Sequence, residues 1–214
     1  MRAVIFDLDG VLVDSERTWD EVRRSVVAEH GGQWREEATR ALQGMSTPEW
    51  ARYLVTELGV RLTADEAADV VVREMARRYE AGPPVLAGAD RVVRTVAERY
   101  PTAIASSSPP VLIEAFLTAT GCTGLVGAAV SSEEVGAGKP APDVYLEAAS
   151  RIGVRPSACA AVEDSTNGLR SALAAGMTVF GVPNPHFPPD AAVLARAMAV
   201  LGDLPEALDQ SGPP

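Results

Sequence analysis

AVIFDLDGVLVDS, residues 3–15, is a short apolar run that ends in acid and then turns polar. A buried strand over residues 3–7 feeding a loop is the natural reading of that change. Asp7 and Asp9 stand two residues apart, a spacing that points both side chains to the same side of an extended backbone. Gly10 follows and permits an unusual turn. Two carboxylates placed together repel, so an acidic pair at a strand end calls for a metal or a shared proton. Alone, the four residues DLDG also fit solvated loop acids, and the rest of the chain has to decide.

Residues 16–81 differ in character from what precedes them. They are rich in Glu, Arg and Ala, and hold ten of the 18 arginines. Trp19, Val22, Val26 and Val27 fall on one helical face, as do Trp50, Leu54 and Leu58. Thr63 or Ala64 opens a further helix whose first turn carries Asp65 and Glu66. About four helices are expected, broken at Gly31–Gly32 and Gly59. After residue 82 the pattern alternates: strands at 102–106, 125–132, 158–164 and 177–182, and helices at about 89–99, from Pro109–Pro110 to Thr120, 142–153 and 166–175. A further short helix is expected near 204–209. Strands alternating with helices specify an α/β class with a Rossmann-like parallel sheet. The chain therefore reads as a core of residues 1–14 and 82–214 interrupted by a helical insertion at 15–81.

Ligands in such sheets bind beyond the carboxyl ends of the strands. Asp7, Ser106 and the pair Glu163–Asp164 all stand at predicted strand ends. An acidic, oxygen-rich cluster suits Mg²⁺, which takes one or two carboxylates and keeps water or substrate oxygens. Ser106, Ser107 and Ser108 precede a helix and offer hydroxyls and N–H groups to an anion; Ser108 also fits a plain N-cap. Lys139 is the single lysine of the chain. Where arginine supplies nearly all other positive charge, a lone lysine points to chemistry that wants a compact ammonium. It does not belong to a phosphate-binding P-loop, because Glu133 and Pro140 occupy positions that motif reserves for Gly and Ser/Thr. His30 and His186 lie outside these motifs and form no zinc-type cluster.

Bulk properties narrow the classes. The 214 residues are 47% hydrophobic with a net charge of −10, enough for a globular core and unsuited to nucleic acid or anionic membranes. No apolar run is long enough to span a bilayer, and the N-terminus reads as a core strand rather than a signal peptide. Cys122 and Cys159 stand far apart, which fits free thiols in the cytoplasm.

Four motifs in order, FDLDGVLVDS (6–15), Ser106 in IASSS, Lys139 in GKPAPDVY and Glu163–Asp164 in VEDSTNGLRSALAAGM, resemble the haloacid dehalogenase (HAD) superfamily. The likeness is to its β-phosphoglucomutase-like subfamily with a helical cap, and covers residues 1–182. It implies that Asp7 is a nucleophile forming an aspartyl-phosphate and that Asp9 is the acid/base. It further implies Mg²⁺ at Asp7, the Asp9 carbonyl and Asp164, with Glu163 supporting through water, and phosphoryl binding by Ser106, Lys139 and nearby N–H groups such as those of Ser107 and Ser108. Residues 10–15 would be the hinge of the cap. Asp at position 9 favours phosphoryl transfer over dehalogenation. Mutases of this subfamily carry a cap His where Trp19 stands, and a Lys where Gln43 precedes Gly44-Met45-Ser46. DSExxW (14–19) instead looks like sugar- and hexitol-phosphate phosphatases, with Gln43, Gly44, Ser46 and Trp19 as candidate substrate readers. Trp19 fits cap core equally well, and Gln43 a helix end. The expectation is a Mg²⁺-dependent phosphatase of a small phosphorylated metabolite, acting as a monomer. A phosphosugar mutase is the alternative, and a phospho-accepting receiver or silent binding module is more distant.

Overall fold

The computed structural model describes residues 1–42, 45–185, 187–202 and 204. Along β1 (Ala3–Phe6) successive side chains go to opposite faces: Val4 and Phe6 enter one apolar cluster, Ala3 and Ile5 another. All four are buried, so β1 is covered on both faces, which is why it is a continuous apolar run. It pairs in parallel with β2 (Thr102–Ser106) on one side and β4 (Cys159–Glu163) on the other, with Ile5 beside Ala103 and Ala161. β3 (Ala128–Ser131), β5 (Thr178–Gly181) and β6 (Ala199–Val200) complete a parallel sheet of order β3-β2-β1-β4-β5-β6. The chain builds outward in both directions from β1, so the crevice between diverging connections opens at the carboxyl ends of β1, β2 and β4.

Between β1 and β2 the chain runs through α1 (Glu16–Glu29), α2 (Ala38–Ala41), α3 (Thr47–Thr56) and α4 (Ala64–Glu80), then α5 (Ala89–Ala97). The first four share a third apolar cluster, in which Trp19, Val22 and Val26 meet Trp50, Leu54, Val71 and Met75. These four helices form an all-helical cap inserted into a Rossmann-like core. Thr63 caps α4 in a reciprocal box with Glu66, as the helix-start signal in the sequence predicts. The outgoing and returning chains of the insertion are joined: Asp14 N–H donates to the Pro84 carbonyl at 2.8 Å and Leu86 N–H to that of Leu12 at 3.0 Å.

The sheet is sandwiched by helices. α5 and α6 (Pro110–Thr120) cover the Val4–Phe6 face with Val92, Val93, Ile113 and Phe116. α7 (Asp143–Arg151) and α8 (Thr166–Ala174) cover the other with Val144, Tyr145, Leu169 and Ala172. β3 begins at Ala128 rather than residue 125, because Leu125 and Val126 close turns onto the Cys122 carbonyl. Two short elements escape the sequence reading, α9 (Ala191–Leu194) and β6. Four and two residues are too few to show periodicity, and the prolines before them mask the return to the sheet. Of the helix expected near 204–209 only Leu204 is among the described residues, and His186 lies outside them.

Leu54 is wholly buried in the cap cluster. Leu54→Ala is expected to cost about 2–5 kcal/mol, read by urea denaturation; a loss under about 0.5 kcal/mol, the size of an ordinary surface substitution, would show that this cluster does not stabilise the fold.

Candidate active site

Asp7 extends β1 by one step, its N–H donating to the Val162 carbonyl at 3.0 Å, so the carboxylate is fixed at the open edge of the sheet. Lys139, on the loop after β3, reaches it: Nζ lies 2.9 Å from Asp7 Oδ1 and 2.6 Å from Glu163 Oε1. The Asp7 contact is an ion pair, and Oδ1 has no other donor among the described residues. Glu163 is fully engaged. Tyr145 Oη donates to Oε1 at 2.7 Å, and Ser165 N–H and Oγ reach Oε2 at 3.4 and 3.2 Å. Its carboxylate fills the space that a side chain at position 168 would need, since a Cβ on Gly168 would lie 1.9 Å from Glu163 Oε1. Gly10 does the same for Asp164, with φ +78° and a Cβ position 1.9 Å from Asp164 Oδ2.

Asp7, Glu163 and Asp164 are buried, and each offers an oxygen within 4.8 Å of the others. Burial pushes the Asp7 carboxyl up to about 8, helped by Glu163 and opposed by Lys139. Burial, and then the Asp7 charge, also raises Asp164. Burial works against the Lys139 charge, but Asp7 and Glu163 outweigh it and hold the ammonium protonated. Three buried carboxylates around one ammonium carry excess negative charge that a divalent cation relieves. Asp7 and Asp164 have oxygens to give to such an ion; those of Glu163 are occupied by Lys139, Tyr145 and Ser165. The donor set is all oxygen, which fits Mg²⁺.

Asp9 faces the cap. Its Oδ1 accepts from Ser15 Oγ and from Trp19 Nε1 at 3.2 Å, and its Oδ2 accepts from Ser108 Oγ at 2.6 Å and Ser106 Oγ at 3.3 Å. Ser108 therefore does not cap α6; that position is Pro109. Ser106 is fully buried, accepts from Ser108 N–H at 3.0 Å, and holds the loop from beneath.

A cavity of about 640 Å³ separates core from cap. Asp7, Asp9, Lys139 and Asp164 line its floor with Ser107 and Ser108; Trp19, Arg23 and Trp50 line its roof; Asn167, Pro188 and Asp190 close a side. Ser106 is not among the lining residues. Neither is Ser46, expected as a substrate reader; it borders a second cavity, of about 470 Å³, with Thr47 and Gly138. It starts α3, binds Glu49 with both N–H and Oγ, and packs where a Cβ on Gly138 would approach within 3.0 Å. Gln43 and Gly44 lie outside the described residues. Sequence reasoning missed Ser15, Glu16, Arg23 and Tyr145. Glu16 and Ser15 sit in the DSExxW stretch and Tyr145 in GKPAPDVY; Arg23 had no signal that set it apart from the other cap arginines.

A profile of the haloacid dehalogenase-like hydrolases matches residues 1–176. Fructose-1-phosphate phosphatase YqaB of Escherichia coli K12 is 32% identical over 183 residues, 84% of this chain and 95% of that protein. Hexitol phosphatase B of the same organism is 33% identical over 191 residues, 86% of this chain and 84% of that one. The crystal structure of a putative β-phosphoglucomutase from Thermotoga maritima superposes with a TM-score of 0.74 at 27% identity, covering 99% of this chain and 100% of that one.

Removing the Lys139 ammonium leaves Glu163 buried and unpaired. Lys139→Met is expected to cost about 3–5 kcal/mol in chemical denaturation, and Glu163→Gln in the same chain is expected to return part of it. Equal stability of Lys139→Met and wild type would contradict the coupling.

Proposed function

We propose that this chain, which belongs to the haloacid dehalogenase-like hydrolases, is a Mg²⁺-dependent phosphatase. Its substrate would be a small sugar or polyol phosphate and its intermediate an aspartyl-phosphate on Asp7. One observation carries the reading: the buried carboxylate of Asp7 lines the floor of a cavity and is paired with Lys139, and its Oδ1 has no other donor among the described residues. A carboxylate held by one ammonium, with lone pairs to spare and open to a cavity, is available as a nucleophile.

Asp7 attacks phosphorus, and the bond to the ester oxygen breaks as Asp9 delivers a proton to that oxygen. Asp9 then takes a proton from the water that attacks the aspartyl-phosphate, releasing inorganic phosphate and restoring Asp7. Ser106 and Ser108 keep the Asp9 carboxylate at the boundary where a leaving group entering from the cap meets it. Lys139 offsets charge on the phosphoryl oxygens, and Ser107 and Ser108 border its site. Asp7, Asp164 and the Asp9 carbonyl would hold Mg²⁺, which supplies electrophilic stabilisation of the phosphoryl oxygens. Glu163 supports from behind through Lys139 and Ser165 rather than as a free ligand.

Trp19, donating to Asp9 from the cap, supports the phosphatase over a mutase, in which a titratable His stands at that place. The names of the two bacterial relatives agree with it. Residues 15–81 are taken as a cap that moves over a core of residues 1–14 and 82–214. Two free buried cysteines fit a cytoplasmic monomer, and no helix among the described residues is long and apolar enough to cross a membrane.

Purified enzyme is expected to hydrolyse p-nitrophenyl phosphate with Mg²⁺, to lose activity in EDTA and regain it with added Mg²⁺. Asp7→Asn is expected to lower kcat by at least about 10³-fold, the scale on which loss of a catalytic-unit member is felt. Activity of Asp7→Asn equal to wild type would sink the nucleophile, and full activity in EDTA the metal. In a panel of phosphorylated sugars and polyols, phosphate release is expected; isomerisation of β-glucose 1-phosphate without release would favour the mutase.

A further inference from the structure

Arg23 lies on α1 one turn beyond Trp19, is 8% exposed and lines the cavity. Its guanidinium carbon sits 4.7 Å from the Trp19 ring centre and 5.1 Å from that of Trp50. The two indoles, 6.1 Å apart and inclined at 56°, fix the guanidinium in place at the roof. Yet Nε is buried with no hydrogen-bond partner, and among the described residues no acid is in ion-pair contact with Arg23. A buried donor left unpaired is costly, and a guanidinium held rigid over a cavity has lost in advance the entropy that binding would otherwise take. Such a group is built to receive an acceptor from outside the protein.

We propose that Arg23 is the specificity-determining residue of the cap, and that its target is a hydroxyl of an uncharged polyhydroxy leaving group rather than a second oxyanion of the substrate. This rests on the phosphatase reading above. Three considerations select the hydroxyl. Burial works against the Arg23 charge, and Glu16, Asp9 and Asp20 offset part of that cost from beyond contact, so its donors are free while acids already surround its positive charge. A carboxylate or second phosphate drawn there would meet Glu16 and Asp9, both of which line the same cavity. A hydroxyl brings no charge, accepts from Arg23, and can donate to Glu16, while the carbon-bound hydrogens beside it pack on the indole faces. Position adds a constraint on reach. Trp19 touches Asp9, the proposed donor to the ester oxygen, and Arg23 is about 6 Å further along the helix. The hydroxyl it reads is therefore several carbons from the ester, toward the far end of an open-chain or ring polyol.

The test compares kcat and KM for glucitol 6-phosphate, 6-phosphogluconate and p-nitrophenyl phosphate in wild type, Arg23→Met and Arg23→Lys, with thermal melts as a check on folding. The first two esters differ in a distal hydroxymethyl against a carboxylate; the third has no hydroxyls. Wild type is expected to prefer glucitol 6-phosphate. Arg23→Met is expected to lower the ratio of kcat/KM for glucitol 6-phosphate to that for p-nitrophenyl phosphate by about ten- to a hundredfold, mainly through KM, and Arg23→Lys to restore part of it. Should Arg23→Met fail to fold, the same ratio read on Arg23→Lys, lowered to a smaller degree, decides. An unchanged ratio overturns the proposal and leaves the phosphatase standing. A loss confined to 6-phosphogluconate overturns it in favour of a second oxyanion. Wild-type enzyme that turns over none of the three overturns the phosphatase reading and this one with it.

Discussion

Everything at the open edge of this sheet depends on one ammonium. Lys139 Nζ stands between Asp7 and Glu163, all three almost entirely out of water. Charges buried this way are tolerated only when each has its partner and the remaining hydrogen-bonding capacity is met. Tyr145 and Ser165 complete Glu163, while Asp7, which lines the cavity, has only Lys139 on its Oδ1 among the described residues. The same arrangement thus stabilises one carboxylate and leaves the next available. It also requires two glycines. Gly168 and Gly10 leave the room that the Glu163 and Asp164 carboxylates occupy, so the acidic pair at the end of β4 is packed from both sides by backbone.

The cap contributes a different kind of chemistry. Its interior is apolar, but the side turned to the core presents two indoles, a guanidinium and Glu16, whose carboxyl burial raises to about 7 with help from Asp9 and against the pull of Arg23. Asp9 is the point where the two halves touch, accepting from Ser15 and Trp19 on the insertion and from Ser106 and Ser108 on the core. In the proposed mechanism, an Asp9 anchored to both sides would respond to the spacing between them, coupling substrate enclosure to placement of the proton.

The core was legible because strand ends in an α/β sheet carry their reactive residues at fixed places along the chain. AVIF, TAIAS and CAAVE are buried on both faces and so stand out as apolar runs, and the acids and serines that follow them had to converge. Lys139 was visible through its rarity. The cap was legible as helices but not as the surface that roofs the cavity. Arg23 has the same local environment in sequence as its exposed neighbour Arg24, and only the folding of the cap brings Trp50 of α3 to Trp19 and Arg23 of α1. Ser46 is the opposite case: a cap-loop serine looks available in sequence, while in the fold Glu49 engages its N–H and Oγ and it borders a different cavity. Ser106 and Ser108 were both seen, with their placements exchanged, because alternation along the chain is lost at the strand end where the backbone turns.

The stitched entry and exit of the insertion carry a consequence of their own. Asp14 with Pro84, and Leu86 with Leu12, bring the two crossing points side by side. To the sheet beneath, the intervening helices are a closed loop whose length and content impose almost nothing on strand register, since excursions from a single anchorage alter closure entropy only slowly with length. Selection can therefore rewrite what the roof recognises without renegotiating how the floor reacts, and a graft of foreign helices between those same two crossing points would inherit the floor intact.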